Sequence, residues 1–273
     1  MGRLSRSERL VAMTKYLADR PHSIVTLSRF MELFGAAKST ASEDVAILRE
    51  TFDNLDLGKI ETISGAAGGV KFIPFLAEEE ISRVSKWLAG ELSSPTRLLP
   101  GGFIYMTDIL FSPRHVWKAA LIFATRFCSL SPDCVLTVET KGIPLAFMTA
   151  WALNVPLSIA RRNAQVTEGP LVTINYVSGS ARRVETMSIA RRAIPEGSSV
   201  LIIDDFMKGG GTAHGMVGLV REVGAEVAGI GVLIETAEPR EKLVNDYLSI
   251  LVLEGLDEEA GRIFIRPTVE RLS

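Results

Sequence analysis

The stretch Val200-Leu-Ile-Ile-Asp-Asp-Phe-Met-Lys-Gly-Gly-Gly-Thr212 limits what this chain can fold into more than any other segment. Its first four residues, Val200 to Ile203, are apolar and uninterrupted by charge, which is the pattern of a strand covered on both faces in a parallel sheet. Asp204 and Asp205 follow at the expected carboxyl end of that strand. Three glycines, Gly209 to Gly211, then lead into Thr212 at the start of a predicted helix. Glycines let the backbone approach a ligand closely, and free N–H groups at a helix start, with the helix dipole, favour an anion. Adjacent carboxylates accept hydrogen bonds from neighbouring ribose hydroxyls, so the two halves together fit a ribose 5-phosphate. The alternative is a tight turn beside a solvated acidic pair; the triple glycine at this spacing favours the ligand site. The stretch is not a P-loop, because no Gly-Lys-[Ser/Thr] ends it and carboxylates precede it.

Strand and helix signals alternate around this stretch. Helical periodicity from Arg114 to Phe127 precedes a buried strand, Cys134 to Val138, then the loop Glu139-Thr-Lys-Gly142 and a helix from Ile143 to Leu153. Ligands of doubly wound sheets bind outside the strand carboxyl ends. Thr140, Lys141 and Gly142 are therefore candidates to face a diphosphate, with an ordinary surface lysine as the alternative for Lys141. Further strands are predicted over Pro156–Ile159, Leu171–Val177, Arg183–Ser188, Val227–Ile234 and Tyr247–Leu253, with a helix over Thr212–Val223. Arg262–Ser273 carries no readable pattern. Arg161, Arg162, Arg182, Arg183, Arg191 and Arg192 face only Glu168 and Glu185 in sequence, and they suit either a polyphosphate or DNA partner or a solvated basic surface. Tyr105, after the turn signal Pro100-Gly-Gly102, reads as core, with a ligand contact as the alternative. Phe206 suits either a base-stacking role or the core.

The first seventy-five residues have a different rhythm. Ser7 precedes a helical pattern with Leu10, Met13 and Leu17 on one face. Thr26 is placed to cap a second helix with Leu27, Phe30, Met31 and Phe34, which Gly35 ends. Thr40-Ala-Ser-Glu43 has the form of a capping box for a third helix that buries Ala41, Val45, Leu48 and Phe52. The other face of that helix shows Ser39, Ser42, Glu43 and Arg49. Lys59–Ile63 and Val70–Ile73 alternate as a hairpin around a glycine-rich tip, Ser64 to Gly69. Two helices on a short turn followed by such a hairpin describe a winged helix, which binds either duplex DNA or a protein. Lys38 at the recognition-helix start and Lys71 on the wing are the cations placed to meet phosphates. Residues 1–40 hold seven cations (Arg3, Arg6, Arg9, Lys15, Arg20, Arg29 and Lys38) against three acids (Glu8, Asp19 and Glu32), although the whole chain has a net charge of −2.

A length of 273 residues suits two domains, here 1–74 and 75–273, with 75–128 including connecting helices; Glu78 to Leu92 reads as the connector. Apolar content of 47% with 23% charge is that of a soluble globular protein. No apolar run approaches the roughly 18 residues of a membrane span, and no secretory signal is expected at the start. Cys128 and Cys134 have no metal-like spacing, which points to a reducing cytoplasm. His22, His115 and His214 have neither metal nor triad spacing, so no catalytic residue and no metal site is assigned.

Val200–Thr212 looks like the thirteen-residue phosphoribosyl-pyrophosphate (PRPP) motif of type I phosphoribosyltransferases, and Glu139-Thr-Lys-Gly142 resembles their diphosphate loop. Gly209 stands where active transferases usually carry Thr or Ser, and Lys208 replaces a usually small residue. With Ala37–Asp44, Ser64–Lys71, Leu99–Gly102, Thr167–Gly169, Ile174–Ser180 and the central motif, essentially the whole chain resembles the purine operon repressors of Gram-positive bacteria. That resemblance implies an α/β architecture in which an N-terminal winged helix-turn-helix domain precedes a phosphoribosyltransferase-like domain with a mainly parallel sheet. It implies a homodimeric, cytoplasmic repressor of purine-synthesis genes that binds double-stranded DNA, with PRPP as an inducer; Mg²⁺ is expected with the diphosphate, since that ion prefers phosphate oxygens and water. Guanosine alarmones are implied competitors for the pocket; no obligatory cofactor, transferase activity or membrane partner is expected. The expected effector residues are Asp204, Asp205, Phe206, Lys208, Gly209, Gly210, Gly211, Thr212, Thr140, Lys141, Gly142 and Tyr105. The expected DNA contacts are Lys38, Ser39, Thr40, Ser42, Arg49, Lys71, Arg3 and Arg6. The rival reading is a working purine phosphoribosyltransferase with a regulatory N-terminal domain.

Overall fold

A computed structural model describes residues 4–65, 68–162, 169–177 and 184–268. The chain divides into two compact units, residues 1–77 with 151–154 and residues 78–150 with 155–273.

The first unit contains α1 (Arg6–Ala18), α2 (Leu27–Phe34), α3 (Lys38–Asn54), β1 (Lys59–Ile63) and β2 (Gly69–Ile73). Met13, Leu17, Phe30, Phe34, Val45, Leu48, Phe52, Ile60 and Val70 form its core. Thr26 caps α2 by accepting from the Arg29 N–H, and Gly35 closes that helix in the left-handed region. Two predicted helix starts are corrected. Ser5, not Ser7, caps α1, through a capping box with Glu8. The Thr40–Glu43 box does not form, because α3 begins earlier, at Lys38, with Ala37 at an N-cap that lacks a side-chain bond. Thr40 is thereby inside the first turn, and the Glu43 carboxylate is taken by Arg6 at 2.9 Å. β1 and β2 pair antiparallel from Lys59↔Ile73 to Ile63↔Gly69, and Val25 bridges Val70, completing the small sheet of a winged helix. Ala66 and Ala67, at the predicted wing tip, lie outside the described residues.

The second unit opens with α4 (Glu78–Leu92), the two-residue strands β3 (Leu98–Leu99) and β4 (Phe103–Ile104), α5 (Thr107–Leu110) and α6 (Pro113–Phe127). The α/β alternation then runs β5 (Cys134–Val138), α7 (Gly142–Leu153), β6 (Leu157–Ala160), β7 (Leu171–Val177), β8 (Val184–Ala190), β9 (Ser199–Met207), α8 (Gly211–Glu222), β10 (Glu226–Thr236), β11 (Tyr247–Asp257) and β12 (Arg262–Pro267). Six strands form one sheet in the order β12-β11-β10-β9-β5-β6, parallel except for β12, which runs against β11. β5 is followed through α7 by β6 on one side, and β9 through α8 by β10 on the other. The direction of winding therefore reverses between β5 and β9, and a ligand crevice is expected at their carboxyl ends. Val200 to Ile203 are fully buried, as their unbroken apolar run requires in a sheet covered on both faces.

Two strand readings change. β9 continues to Met207, so Asp204 and Asp205 are paired strand residues, with Asp204 opposite Val232, and do not follow the strand. The segment without a readable pattern contains β12, an edge strand specified by its neighbour β11. β7 and β8 form a separate antiparallel ribbon whose Tyr176, Met187 and Ile189 pack in one core with Met216 and Leu219 of α8. The turn between them (178–183, including Arg182 and Arg183) and residues 163–168, with Thr167 and Glu168, lie outside the described residues. Among the described residues no helix is long and apolar enough to cross a membrane.

Candidate functional site

The carboxyl ends of β9, β10 and β11 and the β3–β4 hairpin enclose a cavity of about 630 Å³. Its polar wall is continuous in sequence from Asp204 to Ala213, with Lys141 from the β5–α7 loop beside it. Its apolar wall comes from Phe103, Ile104 and Met106 and from Leu253 and Leu256. The strand switch thus gathers both loops singled out in the sequence.

The glycine loop has the geometry of an anion cradle. Gly210 is the N-cap of α8 at φ 80°, in the left-handed region, and a Cβ there would meet the Leu243 amide nitrogen at 3.1 Å. A side chain at this position is disfavoured by both conformation and space. No described residue accepts a hydrogen bond from the N–H of Gly209, Gly210 or Gly211. The helix start therefore presents unpaired donors, and its dipole adds partial positive charge.

The acidic half of the cradle is held at a cost. Asp204 is 6% exposed, and burial followed by repulsion from Asp205 pushes its carboxyl well above the usual range. Burial also raises Asp205, while a hydrogen bond with Asp204 and the positive charge of Lys141 pull the other way. The Asp205 N–H donates to Asp204 Oδ1 at 3.0 Å. A partner that donates hydrogen bonds to these carboxylates would relieve that cost, as two ribose hydroxyls do.

Lys141 and Gly142 serve different purposes. Lys141 is exposed at the cavity edge, whereas Gly142 is buried behind it. A Cβ on Gly142 would come within 2.7 Å of Thr137 Oγ1 and 2.9 Å of Asp204 Oδ1, so this glycine allows the two loops to touch. Thr140 is exposed and off the cavity wall. Tyr105 is 44% exposed, which corrects its reading as core, and it also stands outside the lining. Phe206, Lys208, Gly209, Gly211 and Thr212 all line the cavity.

Several supporting residues were not singled out individually by the sequence reading. Arg162 lies near Glu185 at 3.7 Å and lowers the Asp204 carboxyl, and its backbone N–H donates to Glu139 at 2.8 Å. Tyr176 donates to Glu185 at 2.7 Å; burial and Glu185 push its hydroxyl up to about 12. Arg97 binds Asp108 in a fork at 2.6 and 2.9 Å and reaches the Tyr105 carbonyl at 3.0 Å, which props the β3–β4 hairpin. Partners eight to twenty-three positions apart leave no periodic mark in a sequence, so only the arginine cluster gave a signal, and that was for Arg162. Burial raises the Cys134 thiol to about 11, which marks it as a core residue. Among the described residues no cluster of three metal-ligating side chains occurs.

In the first unit, Lys38, Ser39, Ser42 and Arg49 are exposed on α3 and Thr40 is half-buried. Arg6 is engaged by Glu43, and Lys71 pairs with Glu61 at 2.7 Å. Arg3 lies outside the described residues. Arg9, counted among the basic residues, is buried against Asp44 at 2.6 Å and belongs to the core.

Residues 5–74 match the family described as bacterial purine repressor, N-terminal, and residues 116–260 match the phosphoribosyl transferase domain. The chain is 48% identical over 261 residues to the purine biosynthesis transcriptional repressor PurR of Bacillus subtilis, covering 96% of this chain and 92% of that protein. The chain belongs to the bacterial purine repressor family. A family member from Lactococcus lactis, 41% identical over 93% of this chain and 94% of its own length, is named a purine biosynthesis transcriptional activator. The adenine phosphoribosyltransferase of Saccharomyces cerevisiae shares the fold, with a TM-score of 0.53 at 20% identity over 61% of this chain and 98% of that one. The family architecture is thus a helix-turn-helix domain joined to a phosphoribosyltransferase fold with a mostly parallel sheet.

Proposed function

We propose that this purine repressor family member represses transcription of purine-biosynthesis genes and uses its transferase-fold cavity to bind PRPP as the inducing signal. Repression is favoured over activation because the chain is more similar to the B. subtilis repressor, at 48% identity, than to the L. lactis activator, at 41%. Duplex DNA meets the exposed face of α3 in the major groove and the wing beside it. The protein acts in the cytoplasm as a homodimer, in keeping with the two-fold symmetry of operators read by helix-turn-helix proteins.

One observation carries the effector reading. A single cavity brings together three glycine N–H groups that have no acceptor among the described residues, an acidic pair with Asp204 buried and Asp205 half-buried, and a lysine at its rim. The amides receive the 5-phosphate, Asp204 and Asp205 the ribose hydroxyls, and Lys141 the diphosphate. Mg²⁺ suits the same ligand, since that ion takes one or two carboxylates and completes its shell from phosphate oxygens and water. Guanosine alarmones, which join ribose to phosphate and diphosphate groups, compete for the same donors. The cavity senses PRPP without consuming it, because Gly209 offers no hydroxyl to the transferred group's phosphate.

The test is calorimetric titration of PRPP with Mg²⁺ into the wild type and into Asp204→Ala/Asp205→Ala, beside an assay of diphosphate release with each purine base. Binding by the wild type alone, without turnover, is expected. PRPP binding by the double variant removes the site assignment, and diphosphate release by the wild type establishes the transferase reading instead.

A further inference from the structure

The loop that would hold the phosphate is clamped from outside by a lysine that lies off the cavity wall. Lys242 Nζ donates to the Lys208 carbonyl at 2.6 Å, to the Thr236 carbonyl at 2.7 Å and to Thr236 Oγ1 at 3.4 Å. The three ammonium protons thus meet three oxygens of backbone or hydroxyl type. Among the described residues Lys242 has no carboxylate within ion-pair distance; burial lowers its ammonium pKa, and Glu235 and Glu238 pull the other way. Next to it the Leu243 N–H donates to the Gly209 carbonyl at 3.0 Å. Two successive loop carbonyls, those of Lys208 and Gly209, are therefore bound on the side of the 242–243 segment.

Peptide planarity turns this into a statement about the ligand side. In a trans peptide the C=O of one residue and the N–H of the next point in opposite directions. Holding the Lys208 carbonyl toward Lys242 sends the Gly209 N–H the other way, and holding the Gly209 carbonyl toward Leu243 does the same for the Gly210 N–H. Lys208, Gly209 and Gly210 border the cavity, whereas Lys242 and Leu243 do not. With the clamp released, glycine-rich peptides rotate at small steric cost, and an inward carbonyl would repel an anion.

We propose that Lys242 is a positioning residue for the phosphate site, fixing the peptide planes of the glycine loop so that their N–H groups converge on the bound 5-phosphate. This inference rests on the ribose-phosphate reading of the cavity. It is tested by titrating ribose 5-phosphate and PRPP into the full-length wild type, Lys242→Met, Lys242→Arg and Thr236→Val, with the melting temperature of each ligand-free protein as a control for folding. Lys242→Met keeps the side-chain length and removes the donors. It is expected to weaken both ligands by the same factor, on the order of tenfold or more for lost charged hydrogen bonds, with Lys242→Arg recovering most of the loss. Thr236→Val removes one oxygen that Lys242 binds and a hydroxyl that lies 3.2 Å from the same carbonyl, with the Glu238 carbonyl as its nearer acceptor at 2.6 Å; it is expected to show a smaller loss and remains informative should Lys242→Met fail to fold. Wild-type affinity in Lys242→Met, or in Thr236→Val where that is the folded variant, overturns the inference and leaves the cavity reading standing. No binding of either ligand by the wild type overturns both.

Discussion

Asp204 and Asp205 carry a cost to the fold that the proposed ribose ligand would relieve. A carboxyl whose folded pKa lies above its unfolded value destabilises the folded state at neutral pH, and that cost fades as pH falls through the folded value toward the unfolded one. Both carboxyls are shifted upward by burial, so both carry this sign. Asp204→Asn is therefore expected to raise the melting temperature at pH 7 while weakening PRPP binding, with the gain shrinking as the buffer is made acidic. Thermal unfolding of variant and wild type between pH 7 and pH 4 checks it; a variant less stable than the wild type at pH 7 contradicts the account. The acidic pair was visible in the sequence as chemistry, but its energetic state was not. Burial of Asp204 depends on Gly142, sixty-two positions earlier, fitting against its carboxylate.

Among the elements, α3 carries the exposed side chains proposed to meet DNA and is held by a buried ion pair with α1. Asp44 is fully buried on α3 and receives Arg9 Nε at 2.6 Å and Nη2 at 3.2 Å, while Arg9 Nη1 reaches the Leu4 carbonyl at 3.0 Å. A planar guanidinium held at three points sets α3 against α1, and removing one partner strands the other's charge in the interior. Asp44→Ala is expected to lower the melting temperature of the N-terminal unit and weaken DNA binding, while PRPP binding in the other unit is retained. Calorimetric unfolding with a DNA titration measures both, and unchanged DNA affinity would exclude the positioning role. Apolar spacing made α2, α3 and the hairpin readable, because 3.6- and two-residue periods survive in a single sequence. The true start of α3 was hidden because Thr40–Glu43 satisfies a local capping rule, whereas the helix starts two residues earlier at Lys38 with no side-chain cap to mark it. β12 was hidden for a similar reason: an edge strand depends on the neighbour it joins.

At the scale of the whole molecule, a helix-turn-helix domain is joined to a phosphoribosyltransferase fold, which on the proposed reading couples DNA to a phosphorylated ribose. The cavity's polar wall was readable because its residues from Asp204 to Thr212 are contiguous. Its apolar wall was not, since Phe103 comes from the β3–β4 hairpin and Leu253 and Leu256 from β11, and neither were the bonds that Arg97, Tyr176 and Lys242 make around it. On the proposed reading, Gly209 is the residue that sets sensing apart from turnover within this fold. Regulation then follows from linkage: if PRPP prefers the DNA-free form, it lowers DNA affinity by the factor by which DNA lowers its own, about 1–3 kcal/mol in typical allosteric proteins. The most direct measurement is a titration of the full-length protein onto purine-operon control DNA, with and without PRPP and Mg²⁺ at constant ionic strength. The account predicts tight binding without PRPP and an affinity roughly 5- to 150-fold weaker with it, and it predicts that Asp204→Ala/Asp205→Ala binds DNA but does not respond. DNA affinity unchanged or strengthened by PRPP would contradict it.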